Sequence, residues 1–182
     1  IKAISEGEKV RINVNSTALQ AFVESQLPVY GIDPNQIEFN LQSTNDAWCR
    51  DHGPAFLVKE GCAERLVVNW EYNAWGGKYP PFSDDNALPS SIATRLSLPS
   101  VSPGIIMEGG SVDFNGAGTV LTSRSCLLNP NRNPHLTQEQ IETYLKNYYG
   151  VSQVLWVSDG IVGDDTDVHI DDTVRFVNAN TV

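Results

Sequence analysis

The stretch Glu108–Ser123, EGGSVDFNGAGTVLTS, reads as a β-hairpin: two apolar-rich runs flank Asn115-Gly116, a dipeptide well suited to a tight turn between antiparallel strands. An earlier stretch, RDHGPAFLVKEGCAERLVVNW from Arg50 to Trp70, has the same form, with two apolar runs around a glycine-containing turn that holds Cys62. Each hairpin is followed by a helical pattern. After the first, roughly 84–97 places Ile92, Ala93 and Leu96 toward a core. After the second, Thr137 and Gln140 form a capping-box signature, and Ile141, Tyr144, Leu145 and Tyr148 share one face. Gly150 stops that helix near Tyr149, and VSQVLWV, 151–157, follows as a strand.

The flanks extend the pattern. Ile1, Ala3 and Ile4 read as the last turns of a helix, and Val10–Val14 alternates as a strand. Ser16 caps a helix over Thr17–Leu27 whose inward face is Leu19, Phe22 and Val23, and IEFNL, 37–41, is the next strand. At the other end HIDDTVRFVNANTV, 169–182, reads as the first arm of a third hairpin. Asp51, Glu108 and His169 thus stand just before or at the start of successive hairpins, roughly 60 residues apart. Strand–strand–helix–strand content at that period predicts an α/β array or closed propeller rather than a doubly wound sheet. Units set around an axis bring their hairpin starts together, so Asp51, Glu108 and His169 are expected to converge.

Composition narrows the partners. The chain has 182 residues, 22 acidic against 12 basic, and a net charge of −10. Such a surface repels polyanions, so nucleic acid is not an expected partner, while a small cation is attracted. No apolar run approaches the ~20 residues that cross a bilayer, so no membrane role is expected. Three sparse cysteines, Cys49, Cys62 and Cys126, without C-x-x-C spacing, suggest neither a disulfide framework nor a structural zinc site. A reducing, cytoplasmic setting fits them.

GDDTDVHIDD, Gly163–Asp172, places five carboxylates around one imidazole. If 164–177 is extended, Asp165, Asp167, His169 and Asp171 line one side, with Thr166, Val168, Ile170, Val174 and Phe176 mostly on the other. A solvated acidic loop is the plain alternative. A non-haem iron site would need a second histidine beside His169-x-Asp171, from His52 or His135. A calcium loop has no register with glycine and glutamate at the required positions. No metal is expected. NDAWCRD and MEGGS also set carboxylates beside glycine, tryptophan or arginine at hairpin starts, which favours one assembled site.

NDAWCRDHGPAFLV, NAWGGKYPPFSDD, MEGGSVDFNGAGTVLTSRSCLLNPNRNP and DDTDVHIDD together resemble the agmatine deiminase family, related to bacterial-type peptidyl-arginine deiminase, from about Val10 to Val182. The resemblance implies a pentein-like, five-bladed α/β propeller with its site on the pseudo-symmetry axis. It implies hydrolysis of agmatine to N-carbamoylputrescine and ammonia, with no metal or organic cofactor. Carried over by motif, Asp51 and Asp171 would grip the guanidinium, Glu108 would hold the histidine, and His169 would be the acid–base. Asp165 would help receive the far amine, and Trp48 and Trp75 would wall the channel. The family shows glycine where this chain has Val168, and valine suits extended backbone instead.

The family nucleophile is a cysteine in a glycine-rich segment near the C-terminus, and no GGGN-like segment with a following cysteine occurs in these residues. Residues 1–182 are therefore expected to be one partial propeller, cut at both ends, with about three of five blades, the first incomplete. Cys49 would share a strand face with Asp51 if that segment is extended, but all three cysteines read best as free, mostly buried thiols, Cys126 as a structural one. Trp70 and Trp156 read as core, and Arg50 as a structural ion-pair partner. The chemistry suits a guanidinium, whose planar N–H donors pair with carboxylates, while a histidine beside carboxylates stays protonated near neutrality. Free or peptidyl arginine is the alternative substrate; Asp164, Asp165 and Asp167 favour agmatine, which lacks arginine's carboxylate. A non-catalytic guanidine-binding or assembly module is the reading of another class, with self-association through exposed blade edges.

Overall fold

A computed structural model describes residues 1–59, 61 and 63–182, so the placement of Cys62 in a hairpin turn lies outside the described residues. The chain forms two compact units, Ile1–Ala47 and Trp48–Val182.

The first unit opens with helix α1, Lys2–Ser5, followed by strand β1, Val10–Val14, helix α2, Thr17–Gln26, and strand β2, Ile37–Leu41. Strands β1 and β2 pair in parallel, Val10 opposite Ile37 through Val14 opposite Leu41. Ser16 caps α2 by accepting the Leu19 N–H, as its position before the apolar run requires. The expected inward face of α2 is not buried. Leu19 and Phe22 are 41% and 61% exposed, because a two-stranded sheet offers too little surface to cover the helix.

The second unit holds two copies of one topology. Helix α3, Cys49–His52, leads into strands β3, Ala55–Val58, and β4, Arg65–Val68. The short turn α4, Ala74–Gly77, helix α5, Ser83–Arg95, and strand β5, Ser100–Val101, complete the first copy. Strands β6, Val112–Phe114, and β7, Thr119–Ser123, helices α6, Arg124–Leu127, and α7, Gln138–Tyr149, and strand β8, Gln153–Val157, make the second. Sheet order is β3-β4-β5 in one and β6-β7-β8 in the other. In both, the first pair is antiparallel and the second parallel. These are the repeated strand–strand–helix–strand units of an α/β propeller.

Local chemistry accounts for the second copy closely. The Asn115 side chain accepts the Ala117 and Thr119 N–H groups and so folds the loop between β6 and β7. Thr137 and Gln140 complete both halves of the capping box on α7, and Gly150 ends it at φ 68°. Ile141 and Leu145 are 1% and 0% exposed and pack with Val68, Trp70, Met107, Val112, Val120 and Leu127. Tyr144, Tyr148 and Trp156 flank that core, half-buried. In α5 the buried side chains are Asp85, Leu88, Pro89 and Ala93; Ile92 and Leu96 are only half-buried.

The third hairpin arm expected at 169–182 is not a strand. Beyond Val157 the described residues form turns and one isolated bridge, Asn178 to Thr181. Side-chain acceptors in 164–166 capture backbone N–H groups there, which competes with a sheet ladder. Truncating Leu145→Ala should cost about 2–5 kcal/mol in denaturant unfolding, while Phe22→Ala at its exposed site should stay within about 0.5 kcal/mol.

Candidate active site

Glu108 follows a backbone run that is pinned on both sides. Met107 N–H donates to Glu71 O, and the Asn133 amide both accepts the Ile106 N–H and donates to the Ile106 carbonyl, each at 2.9–3.0 Å. Gly109–Ser111 then makes one 3-10 turn, closed by the Ser111 hydroxyl donating to Glu108 O at 2.6 Å. Both glycines are demanded by crowding. A Cβ on Gly109 would lie 1.9 Å from Arg50 O, and one on Gly110 would lie 2.4 Å from His169 Nδ1 and 2.6 Å from Asp51 Oδ1. The Gly110 N–H donates to Asp51 Oδ1 at 2.9 Å, tying the two hairpin starts together.

Asp51 sits on α3, not on a strand, so Cys49 does not share a strand face with it, and Cys49 is exposed rather than buried because this one-turn helix turns only Asp51 and His52 inward. Its Oδ2 accepts the Trp75 indole N–H at 2.9 Å. Trp75, 6% exposed, holds this position with left-handed backbone at φ 55°.

His169 comes in on a turn rather than the extended segment expected at 164–177. Asp164 accepts the Thr166 N–H and hydroxyl on one oxygen and the His169 N–H on the other. Asp167 and Val168 are left-handed, at φ 64° and 72°. Valine thus occupies the backbone region that glycine enters freely, at a steric cost of roughly 1–2 kcal/mol. The alternating faces are lost: Ile170 and His169, neighbours in sequence, are 0% and 2% exposed.

The imidazole meets three carboxylates. His169 Nε2 lies 3.3 Å from Glu108 Oε2, and Nδ1 lies 3.6 Å from Asp51 Oδ1 and 4.0 Å from Asp171 Oδ1. Asp171 is set by its own N–H, which donates to Gly110 O at 3.2 Å, and by Arg50 Nε at 3.7 Å. Burial pushes the His169 pKa down, but the Glu108 hydrogen bond and the Asp51, Glu108 and Asp171 charges outweigh it and hold it above the ordinary 6.5. Burial pushes Glu108 up, yet the His169 and Arg132 donors more than offset this and keep it below 4.5. Burial raises Asp171, and the nearby Asp51 and Asp172 charges add to that against the pull of His169.

The structure therefore brings Asp51, Glu108, His169 and Asp171 together. Asp165 lies beside the Tyr79 hydroxyl, which donates to its Oδ2, and its carbonyl accepts Lys78 Nζ at 2.7 Å. Trp75 is buried against Asp51 and Trp48 is 63% exposed. Of the further acidic residues weighed for a distal amine, Asp164 is spent on the turn, and Asp167 pairs with Lys78 at 2.9 Å and Arg132 at 2.6 Å. His52 is not a partner of His169: its Nε2 is 3.7 Å from Asp85. His135 is exposed on a loop.

Arg132 is not singled out by the sequence, and Cys126 reads there only as a structural thiol; both sit at the site. Arg132, its side chain wholly buried, donates through Nε and Nη2 to both Glu108 oxygens, at 2.7 and 3.2 Å. Cys126, 0% exposed, donates its S–H to Glu108 Oε2 at 3.3 Å. Burial, and then the Glu108 charge, drive that thiol well above its ordinary value, so it stays protonated. Glu108, Cys126 and His169 also make a group of metal-capable donors among the described residues. The Glu108 oxygens here are met by the Cys126 thiol, the His169 ring nitrogen and the Arg132 fork. The signal for both residues lay in SCLLNPNRNP, a run apolar and asparagine-rich enough to read as plain structure.

All of residues 1–182 match the family described as Porphyromonas-type peptidyl-arginine deiminase. The chain belongs to this family. It is 42% identical over its full length to the agmatine deiminase of Pseudomonas savastanoi pv. phaseolicola, of which it covers 49%. Among solved structures, a C. jejuni agmatine deiminase cysteine-to-serine variant with substrate bound matches with a TM-score of 0.85 at 38% identity, over 99% of this chain and 51% of that one. The Enterococcus faecalis agmatine deiminase matches with a TM-score of 0.87 at 36% identity, over 97% and 48%. The chain spans about half the length of the curated relatives it matches.

Gly110→Ala should drive a methyl into His169 and Asp51 and lower stability by about 3 kcal/mol or more in denaturant unfolding. Stability should also follow the two shifted groups. Raised His169 contributes below pH 6.5 and loses its contribution as pH climbs through its folded value. Depressed Glu108 contributes above pH 4.5 and loses its contribution as pH falls through its folded value. Thermal unfolding across pH should therefore peak between those limits, and His169→Ala should flatten the alkaline side.

Proposed function

We propose that this chain carries the guanidinium-gripping and proton-carrying part of an agmatine hydrolase, which turns agmatine and water into N-carbamoylputrescine and ammonia on the route to putrescine. The observation that carries this is the His169 imidazole, fixed at Nε2 by Glu108 and flanked at Nδ1 by Asp51 and Asp171. Two carboxylates beside one nitrogen suit a planar cation lying across that nitrogen, each accepting charge-assisted N–H bonds. Asp51 keeps a lone pair on each oxygen after its bonds to Gly110 and Trp75. Positioning of this kind is worth up to about 7–11 kcal/mol in ideal cases.

With Glu108 on Nε2, proton traffic runs through Nδ1. A thiolate adds to the guanidinium carbon, and the Nδ1 proton goes to the departing ammonia, leaving a covalent thiouronium. Neutral His169 then takes a proton from water, which attacks the same carbon; the C–S pair returns to sulfur as thiolate, the hydroxyl proton passes to solvent, and the substituted urea leaves. Neither described cysteine suits the thiolate role. Cys126 is protonated and faces Glu108 away from Nδ1, and Cys49 is exposed on α3. The reading therefore places the nucleophile in the part of the relatives' length that this chain does not span.

Asp165, with the Tyr79 hydroxyl on it, is the carboxylate left for the far amine, which favours agmatine over arginine. Neither described cysteine is in a disulfide, which suits the cytoplasm. Strands β3 and β6 are sheet edges bearing exposed Phe56, Val58 and Phe114, surfaces for self-association. Calorimetric titration should show agmatine binding without ammonia release, weakened about tenfold or more by Asp51→Asn or Asp171→Asn, since hydrogen bonds to charged groups are worth roughly 1.5–3 kcal/mol. Arginine binding as tightly as agmatine would overturn the substrate choice. Ammonia release that survives Cys49→Ala and stops with His169→Ala would overturn the placement of the thiol.

A further inference from the structure

Arg132 does more than neutralise Glu108. Its guanidinium spends Nε and one Nη2 bond on the Glu108 carboxylate, and its remaining donors reach the loop that carries His169: Nη1 to Asp167 Oδ2 at 2.6 Å and Nη2 to the Thr166 carbonyl at 3.0 Å. Asn131 fixes the fork by accepting from Nη1 at 2.7 Å and donating to the same Asp167 oxygen at 3.1 Å. Lys78 closes the other side of Asp167 at 2.9 Å. No other type of side chain can make this set of bonds, because only a planar fork spans a carboxylate and a second acceptor edge at once.

The loop it holds is strained. Asp167 and Val168 both lie in the left-handed region, and valine, branched at Cβ, is poorly suited to it. Two grips flank the strain: Arg132 on Thr166 and Asp167, and the Ser123 hydroxyl donating to Val168 O at 2.5 Å. Val168 Cγ1 also fills the space against Gly160, where an added Cβ would stand 2.3 Å from it. His169 is the next residue, so any relaxation at 167–168 turns its ring away from Glu108 and Asp51.

We propose that Arg132 is a positioning residue: a strap between Glu108 and the 166–168 backbone that holds a strained turn and thereby aims His169 between Glu108, Asp51 and Asp171. This rests on the reading of His169 as proton carrier for its importance, but not for its test. Burial also seals the strap from water, since Arg132 and Glu108 side chains are both 0% exposed.

The test reads the His169 titration midpoint by NMR in this chain, where charge and position act in opposite directions. His169 faces Glu108, Asp51 and Asp171, with Arg132 and the Cys126 thiol one bond further on at Glu108. Removing a cation beside this cluster, with geometry kept, raises the midpoint. Losing the aim of His169 lowers it toward 6.5. We expect Arg132→Lys and Arg132→Met both to lower it, and Val168→Gly to restore part of the drop in the lysine variant, because glycine needs no hold in that backbone region. A rise in Arg132→Met, or an Arg132→Lys drop untouched by Val168→Gly, would overturn the strap. Should the arginine variants fail to fold, Asp167→Asn weakens the Arg132 grip on the loop without touching Glu108, and Lys78→Met, which removes the other cation on Asp167, is its control. Amide exchange at His169 should then accelerate about tenfold or more, as expected for one lost charge-assisted bond, and an unchanged rate would equally overturn it. Each readout is independent of turnover, so an inactive assembly would not be mistaken for a failed strap.

Discussion

Everything at this site depends on one buried carboxylate. Glu108 is 0% exposed, and an ionised carboxylate taken out of water is tolerated only when its oxygens are paired and hydrogen-bonded. Arg132, His169 and Cys126 meet that requirement from three directions. Because these partners come from two other segments, 126–132 and the loop at His169, satisfying Glu108 also fixes where those segments lie. The NRN run is anchored twice, by Arg132 on Glu108 and by Asn133 on Ile106, so it acts as a splint under the turn that begins at Glu108.

Repetition supplies the rest of the geometry. Two copies of the same three-stranded unit start with Asp51 and Glu108 side by side, joined through the Gly110 N–H. The glycine pair is the physical condition for that closeness, since a Cβ at either position would overlap the neighbouring segment. Asp51 and Glu108 stand at the starts of the two units, ahead of their strands. The core lies behind them, between the sheets and α7.

Much of this could be read from the residues. The hairpins, the capping box on α7 and its Ile141 and Leu145 face depend on near neighbours, and short-range chemistry determined them. The meeting of Asp51, Glu108 and His169 was readable because a period of roughly 60 residues carries three-dimensional information. Other features were not. The 164–168 turn passes for extended chain because its alternation of polar and apolar letters is also the strand pattern, while the Asp164 and Thr166 acceptors that bend it leave no periodic trace. Arg132 and Cys126 act across 24 and 18 residues, a distance that no local pattern reports. Phe22 and Leu19 show the converse: amphipathic spacing marks a face that wants cover, not one that the two-stranded sheet can provide.

Val168 joins the two themes, since its backbone conformation is unfavourable alone and is held by Ser123 and by Arg132 through its neighbours. The Glu108 carboxylate helps hold the His169 pKa above its ordinary 6.5. The most direct measurement is the His169 titration midpoint by NMR in the unaltered chain and in Glu108→Gln, which keeps the shape and removes the charge. A midpoint above 6.5 that drops on substitution is the predicted result. A midpoint at or below 6.5 in the unaltered chain, or one that Glu108→Gln leaves unmoved, would contradict it.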